Sequence, residues 1–381
     1  MDLDFDRWKM DHCPETEAGV RDLAKALFQM RSLRRLKLHC CIFVDVFFGT
    51  AATYATSSQI EELDLHLDIL VMKKDLVRTE WANQNLAKCL LQLPRLTCLK
   101  FRSNFLHDEF LPMAVSLASS SKLEDLDIDT FLVGYRRANF PRSESSSQHL
   151  ATFLMSLPCL TYLQLTASQS HEVFMSTLAS FAPLSQIQRV KVDYRGLHWY
   201  PPLKSDKPIR DYARFLFQMP NLTHLEIYSR ECEVSEAFWS TASELAPLSQ
   251  LQDLDLGISV YEIKTPKEKA SIYLAKFLLR LPNLSRLKIT FREFPPAFSA
   301  ALVAGAMTLR IQDLDFDMKQ LTEDNTAWSD KIAKDLPQFL FQMPLLTRLK
   351  FHCLCLPDIF FETAISEVTS SKVDVEASFT Q

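Results

Sequence analysis

Glycine is nearly missing from this chain of 381 residues: only Gly19, Gly49, Gly134, Gly196, Gly257 and Gly305 occur. No two of them have the spacing of G-x-G-x-x-G or G-x-x-x-x-G-K-[ST], so no glycine-rich loop can wrap its N–H groups around a phosphate. H-E-x-x-H and G-x-S-x-G are also absent, which removes the common zinc-protease and serine-nucleophile signatures. The nine cysteines include no C-x-x-C pair. They are odd in number, and Cys89, Cys98 and Cys159 fall inside apolar patterns, which points to thiols in a reducing, cytoplasmic setting. Long apolar runs are lacking. The stretch from Cys40 to Phe48 is broken by Asp45, well short of the roughly 18 residues a membrane helix needs. The start, Met1-Asp2-Leu3-Asp4-Phe5-Asp6, has no signal-peptide core. Basic excess is missing as well. Lysine and arginine number 42 against 47 acids, a net charge of −5, so no bulk positive field draws nucleic acid.

What the chain has is a repeat running from end to end. Six segments read alike: Leu27 to Leu38, Leu90 to Phe101, Leu154 to Leu165, Leu216 to Ile227, Leu278 to Ile289 and Leu340 to Phe351. Their last residues are 62 to 64 positions apart. Five carry a proline before the final apolar stretch: Pro94, Pro158, Pro220, Pro282 and Pro344. Call this set A. A set B lies between its copies: Ile60 to Leu65, Leu123 to Ile128, Ile187 to Val192, Leu251 to Leu256 and Ile311 to Phe316. The step from A to B is 27 or 29 residues, and from B to A it is 33 to 37. Every copy contains L-x-x-L-x-L, with other apolar residues as substitutes, which is the core of the leucine-rich repeat. Leu96 to Leu106 completes the longer pattern with Asn104. Cys41 takes that place in the first copy, and the rest are irregular.

L-x-L reads as a short strand with alternate residues turned inward. The segments 211–219 and 274–281 read as helices stopped by Pro220 and Pro282. Stacking strand, helix and next parallel strand predicts an α/β solenoid. This would be a curved horseshoe of about 11–12 units, strands on the concave side and helices on the convex side. Residues 1–381 read as a single such domain that begins inside a repeat, because Leu3-Asp4-Phe5-Asp6 copies Leu314-Asp315-Phe316-Asp317. Residues 1–17 are then a partial unit, 18–375 alternate A and B, and 376–381 form a tail. The chain is thereby read as a fragment or the carboxyl-terminal part of a longer protein. Asn221-Leu222-Thr223 and Asn283-Leu284-Ser285 spell glycosylation sequons, but both belong to the repeated P-N-L-[ST] and read as structural.

The polar residues of L-x-x-L-x-L carry a second pattern. A strands show bases: Arg35 and Lys37, Lys100 and Arg102, Arg286 and Lys288, Arg348 and Lys350. B strands show acids: Glu62 and Asp64, Asp125 and Asp127, Asp253 and Asp255, Asp313 and Asp315. Parallel strands in register lie about 4.8 Å apart, so basic rows would neighbour acidic rows and neutralise them. The alternation fails in the middle, where the sequence offers Tyr162 and Gln164, then Arg189 and Lys191, then His224, Glu226 and Tyr228. An aromatic stretch with Tyr194, Trp199 and Tyr200 follows Lys191. Tyrosine, tryptophan and arginine are enriched at binding hot spots. These ten residues are the candidate protein-binding site. No catalytic residue, metal ligand or cofactor is expected. His39-Cys40-Cys41 and His352-Cys353-Leu354-Cys355 lie at opposite ends of the array and cannot share an ion.

The alternating units, the helices ending in L-P-x-L-T-x-L and the acidic L-x-D-L-D-L strands resemble the carboxyl-terminal repeat region of NOD-like, NACHT-containing receptors. The alternation of two unit types also resembles the ribonuclease-inhibitor-like class of leucine-rich repeats. The resemblance covers nearly all of residues 3–375. It implies ligand sensing, or autoinhibitory packing against a neighbouring domain of a longer innate-immune receptor; the acidic balance and the lack of a long apolar run are what lead to the expectation of no nucleic acid and no membrane. The same architecture in ribonuclease inhibitors and F-box substrate adaptors implies the alternative, a stand-alone protein that holds its partner in the concave face.

Overall fold

The computed structural model describes residues 2–4, 16–40, 44–67, 80–103, 109–129, 143–166, 169–170, 172–194, 198–199, 205–229, 236–258, 268–291, 296–318, 330–353, 358–368 and 374–379. They fall into two compact units, Met1–Leu178 with His198–Pro202, and Ala179–Leu197 with Leu203–Gln381. The architecture of each is that of an α/β leucine-rich-repeat solenoid. Asn104 and Cys41 lie outside the described residues.

The first unit stacks strands β1 (Asp2–Asp4), β2 (Arg35–Cys40), β3 (Glu62–Leu67), β4 (Cys98–Ser103), β5 (Asp125–Asp129) and β6 (Tyr162–Thr166) in chain order, all parallel. Helices α1 (Glu17–Gln29), α2 (Val44–Tyr54), α3 (Glu80–Leu91), α4 (Phe110–Ala118) and α5 (Glu144–Met155) are the crossovers. The short strand β7 (Gln169–Ser170) precedes α6 (Glu172–Phe181).

The second unit stacks seven parallel strands. They are β8 (Arg189–Tyr194), β10 (His224–Ser229), β11 (Asp253–Ile258), β12 (Arg286–Phe291), β13 (Asp313–Met318), β14 (Arg348–Cys353) and β15 (Asp374–Phe379). Between β8 and β10 in the chain comes β9 (His198–Trp199), which belongs to the first unit and pairs there with β7. The crossovers are α7 (Lys207–Phe217), α8 (Glu236–Leu245), α9 (Glu268–Arg280), α10 (Pro296–Val303), α11 (Asp330–Gln342) and α12 (Asp358–Val368). The helices expected over 211–219 and 274–281 are α7 and α9. Both end before the proline, whose ring and missing N–H stop a helix.

Alternation explains the core. In β3 and β5 every second residue is buried and the rest face outward. The leucines of L-x-x-L-x-L are buried, and so are helix residues such as Phe28, Phe215, Phe277 and Phe339. A small apolar void of about 10 Å³ remains in the first unit among Leu99, Phe101, Phe110, Leu126 and Phe153.

Two polar devices hold the register. The Ser or Thr of L-[ST]-x-L donates its hydroxyl to a carbonyl at the preceding B strand. Thr97 reaches Glu61, Thr161 Glu124, Thr223 Gln188, Ser285 Gln252 and Thr347 Gln312, at 3.0 to 3.4 Å. Each of those carbonyls also accepts two backbone N–H groups of the following strand's first residues. The sequon asparagines serve the same joint: Asn221 donates to Ser185 O (3.2 Å) and Gln186 Oε1 (3.3 Å), and Asn283 to Gln250 Oε1 (3.1 Å). The second device, in four of the five B copies, is a buried serine two residues ahead of the strand's first apolar residue; the fifth copy has Leu309 there. Ser58, Ser121, Ser185 and Ser249 accept the N–H of Ile60, Leu123, Ile187 and Leu251 at 3.2 to 3.4 Å. Ser249→Ala would leave that buried N–H unsatisfied and should cost about 1–3 kcal/mol. Urea unfolding reads this as a lower midpoint with an unchanged slope.

Candidate functional site

The outward residues of β8, β10, β11 and β12 form the polar centre of the second unit. Period-2 alternation turns Leu225 and Ile227 inward and leaves His224, Glu226 and Tyr228 on the strand-lined face. Register places Lys191 opposite Glu226, Glu226 opposite Asp255, and Asp255 opposite Lys288. Two acids therefore stand side by side, each with its own lysine. Lys191 Nζ lies 3.1 Å from Glu226 Oε2, and Lys288 Nζ lies 3.0 Å from Asp255 Oδ2.

Tyr228 ties these pairs together. Its phenol donates to Asp255 Oδ2 at 2.8 Å, and Lys191 Nζ approaches its ring centroid to 5.4 Å. The ring can lie there because the neighbouring strand carries Gly257. A Cβ at that position would meet Tyr228 Cδ1 at 2.5 Å. Burial, the hydrogen bond to Asp255 and the nearby negative charge push the phenol well above its ordinary pKa. Burial is the largest single influence on Lys288 and pulls it down, but its hydrogen bond to Asp255 and the negative charges of Asp255, Asp315 and Asp317 together leave it raised.

The adjoining row is built on Asp253. It receives His224 Nε2 at 2.6 Å and a bidentate Arg286, Nε at 2.8 Å and Nη2 at 2.6 Å. The other ring nitrogen of His224 is 2.8 Å from Thr223 Oγ1. The expected alternation holds along the array, with Arg35 on Glu62 at 3.0 Å and Arg348 on Asp313 at 2.9 Å. Asp253→Lys would remove the acceptor shared by His224 and Arg286 and set a second cation beside the Arg286 guanidinium. It should cost about 1–2 kcal/mol, less at high salt. Unfolding midpoints at low and high salt check this.

Of the ten candidate residues, Arg189, Lys191, His224, Glu226 and Tyr228 share the strand-lined face of the second unit. Tyr162 and Gln164 lie on β6 in the first unit, where the Tyr162 phenol donates to Gln164 Oε1 at 2.9 Å. Their neighbours on β5 are Asp125 and Asp127, and burial raises the carboxyl of Asp127. Tyr194 occupies β8 opposite Ser229, and Trp199 pairs through its backbone with Ser170. The side chains of both, and all of Tyr200, lie outside the described residues. The sequence reading missed Asp255 and Gly257 as partners of Tyr228. The available signal was Gly257, which takes an outward strand position where charged residues are usual.

Among the described residues no three His, Cys, Asp or Glu side chains converge as metal ligands, and no helix is long and apolar enough to cross a membrane. No protein-family model and no curated protein matches the chain. One matching solved structure is the crystal structure of a TLR13–ssRNA13 complex, at 13% identity and a TM-score of 0.45. The match covers 93% of this chain and 47% of that one, so the chain spans about half the length of that protein.

Proposed function

We propose that this chain is a non-catalytic recognition module that takes a protein partner on its strand-lined face, around Lys191, Glu226 and Tyr228. The observation that carries this reading is the Tyr228 node. A half-buried aromatic ring is fixed by Asp255, Lys191 and the space above Gly257, so little ordering entropy remains to be lost on binding. Arg189 and His224 flank it. Paired charges of both signs suit a partner of mixed polarity better than a polyanion. Tyr162 and Gln164 are proposed as contact residues of the first unit by itself, and Tyr194, Trp199 and Tyr200 are proposed on their sequence pattern alone.

The finer reading is a ligand-sensing or autoinhibitory repeat region of an intracellular, innate-immune-type receptor. L-P-x-L-T-x-L and L-x-D-L-D-L, and their resemblance to NOD-like receptor repeats, support it. The test is affinity capture from cell extract with the wild-type chain beside a chain carrying Arg189→Ala, Lys191→Ala and Tyr228→Ala. A partner recovered by the wild type should bind the triple variant about ten-fold or more weakly. Equal recovery by both chains contradicts the assignment.

A further inference from the structure

The loops that lead into the strands form a second surface, on a different edge of the second unit. Leu184 is 78% exposed, Leu248 75%, Met307 68% and Leu345 46%. Exposed Pro183, Pro220, Pro247, Pro282 and Pro344 stand among them. From Ala182 to Gln186, and through the five corresponding loops up to Thr347, the only charged side chain is Arg310. Leu184 and Leu248 lie three residues before the first apolar residue of their B strands. At that place the first unit has Ser57 and Ser120, and its loops carry Arg31, Arg34, Arg95 and Lys122. The repeat tolerates serine here, so packing does not explain the leucines.

We propose that this ledge docks a single amphipathic α-helix through an uncharged apolar stripe. Charge complementarity sets the chemistry, because a charged stripe would lose its hydration against loops that offer almost no countercharge. Length sets the shape. Six strands at about 4.8 Å span about 24 Å, the length of a helix of about 16 residues. Leu184, Leu248 and Met307 precede every second strand, about 10 Å apart, and a helix repeats its face every seven residues, about 10.5 Å. Anchors one heptad apart can therefore seat between successive knobs, as in helix-in-groove recognition. A strip about 24 Å long and about 10 Å wide, one helix diameter, covers about 240 Å², well short of the roughly 800 Å² per partner of a stable protein interface, which disfavours a second copy.

The test uses the full chain and a labelled helical peptide of about 18 residues, with leucines at the a and d positions of an Ala/Glu/Lys background. A scrambled peptide of the same composition is the comparison, and fluorescence anisotropy is the readout. The patterned peptide should bind and the scrambled one should not. Leu184→Ser with Leu248→Ser should weaken binding about ten-fold or more. Circular dichroism checks that this chain folds; if it does not, Leu248→Lys alone, at an exposed position, serves instead. Equal binding of both peptides, or unchanged binding by the variant, overturns the proposal. So would a wild-type dimer in sedimentation, or pelleting with phosphatidylcholine vesicles, that the double variant loses, since the ledge would then serve a second copy or a lipid surface.

Discussion

Phe277→Ala should lower the stability of the protein by about 3–5 kcal/mol. Phe277 is 0% exposed on α9. Its ring lies 4.7 Å from that of Phe217 on α7 and 5.4 Å from that of Trp239 on α8, and Trp239 meets Phe238 edge-on at 4.9 Å. The side chain thus joins three successive crossovers. In a repeat array the stability of each unit comes largely from its neighbours, so one cavity weakens two interfaces at once. Close-packed aromatic neighbours cannot collapse into the gap without leaving their rotamers. Chemical unfolding followed by circular dichroism measures the loss. A change below about 1 kcal/mol would mean that the ring is not a keystone of the helical layer.

The second large effect is expected at Gly257, on binding rather than folding. In Gly257→Val the new side chain would occupy the space of Tyr228 Cδ1 and Cε1, so the ring must leave the sheet. Asp255 then loses the phenol and Lys191 loses the ring. The strand itself tolerates valine, which favours extended backbone. Partner binding should fall about ten-fold or more while the unfolding midpoint moves little. A pH signature accompanies this. Because the folded phenol is raised, its stabilisation is fully present below the unfolded tyrosine value of about 10 and is lost as pH rises above it. That slope should flatten in Gly257→Val. Unchanged binding in the variant would show that the partner does not need the ring in this position.

The strand ladder was legible in the sequence because L-x-x-L-x-L has the period of a half-buried strand, and a slip of one residue would turn every leucine outward. The charge rows were legible for the same reason, since Arg286, Asp253 and His224 occupy equivalent places in successive repeats. Position within a repeat does not reveal a side chain's path. The reach of Tyr228 across Gly257 to Asp255 depends on space left by a neighbouring strand 27 residues away. The buried serines were overlooked because a lone polar residue ahead of a strand reads as turn chemistry. Their recurrence at Ser58, Ser121, Ser185 and Ser249 could have found them. The apolar ledge needed exposure as well as identity, because leucine before a leucine-rich strand reads as core.

The titration of the Tyr228 phenol tests the central claim most directly. Tyrosine ring-carbon NMR would follow the nine phenols, and Tyr228→Phe would assign the signal. If the node is built as described, Tyr228 stays protonated after the exposed tyrosines have ionised, and Asp255→Asn brings it back toward them. A Tyr228 signal that titrates with the exposed tyrosines in the wild-type chain would contradict the account.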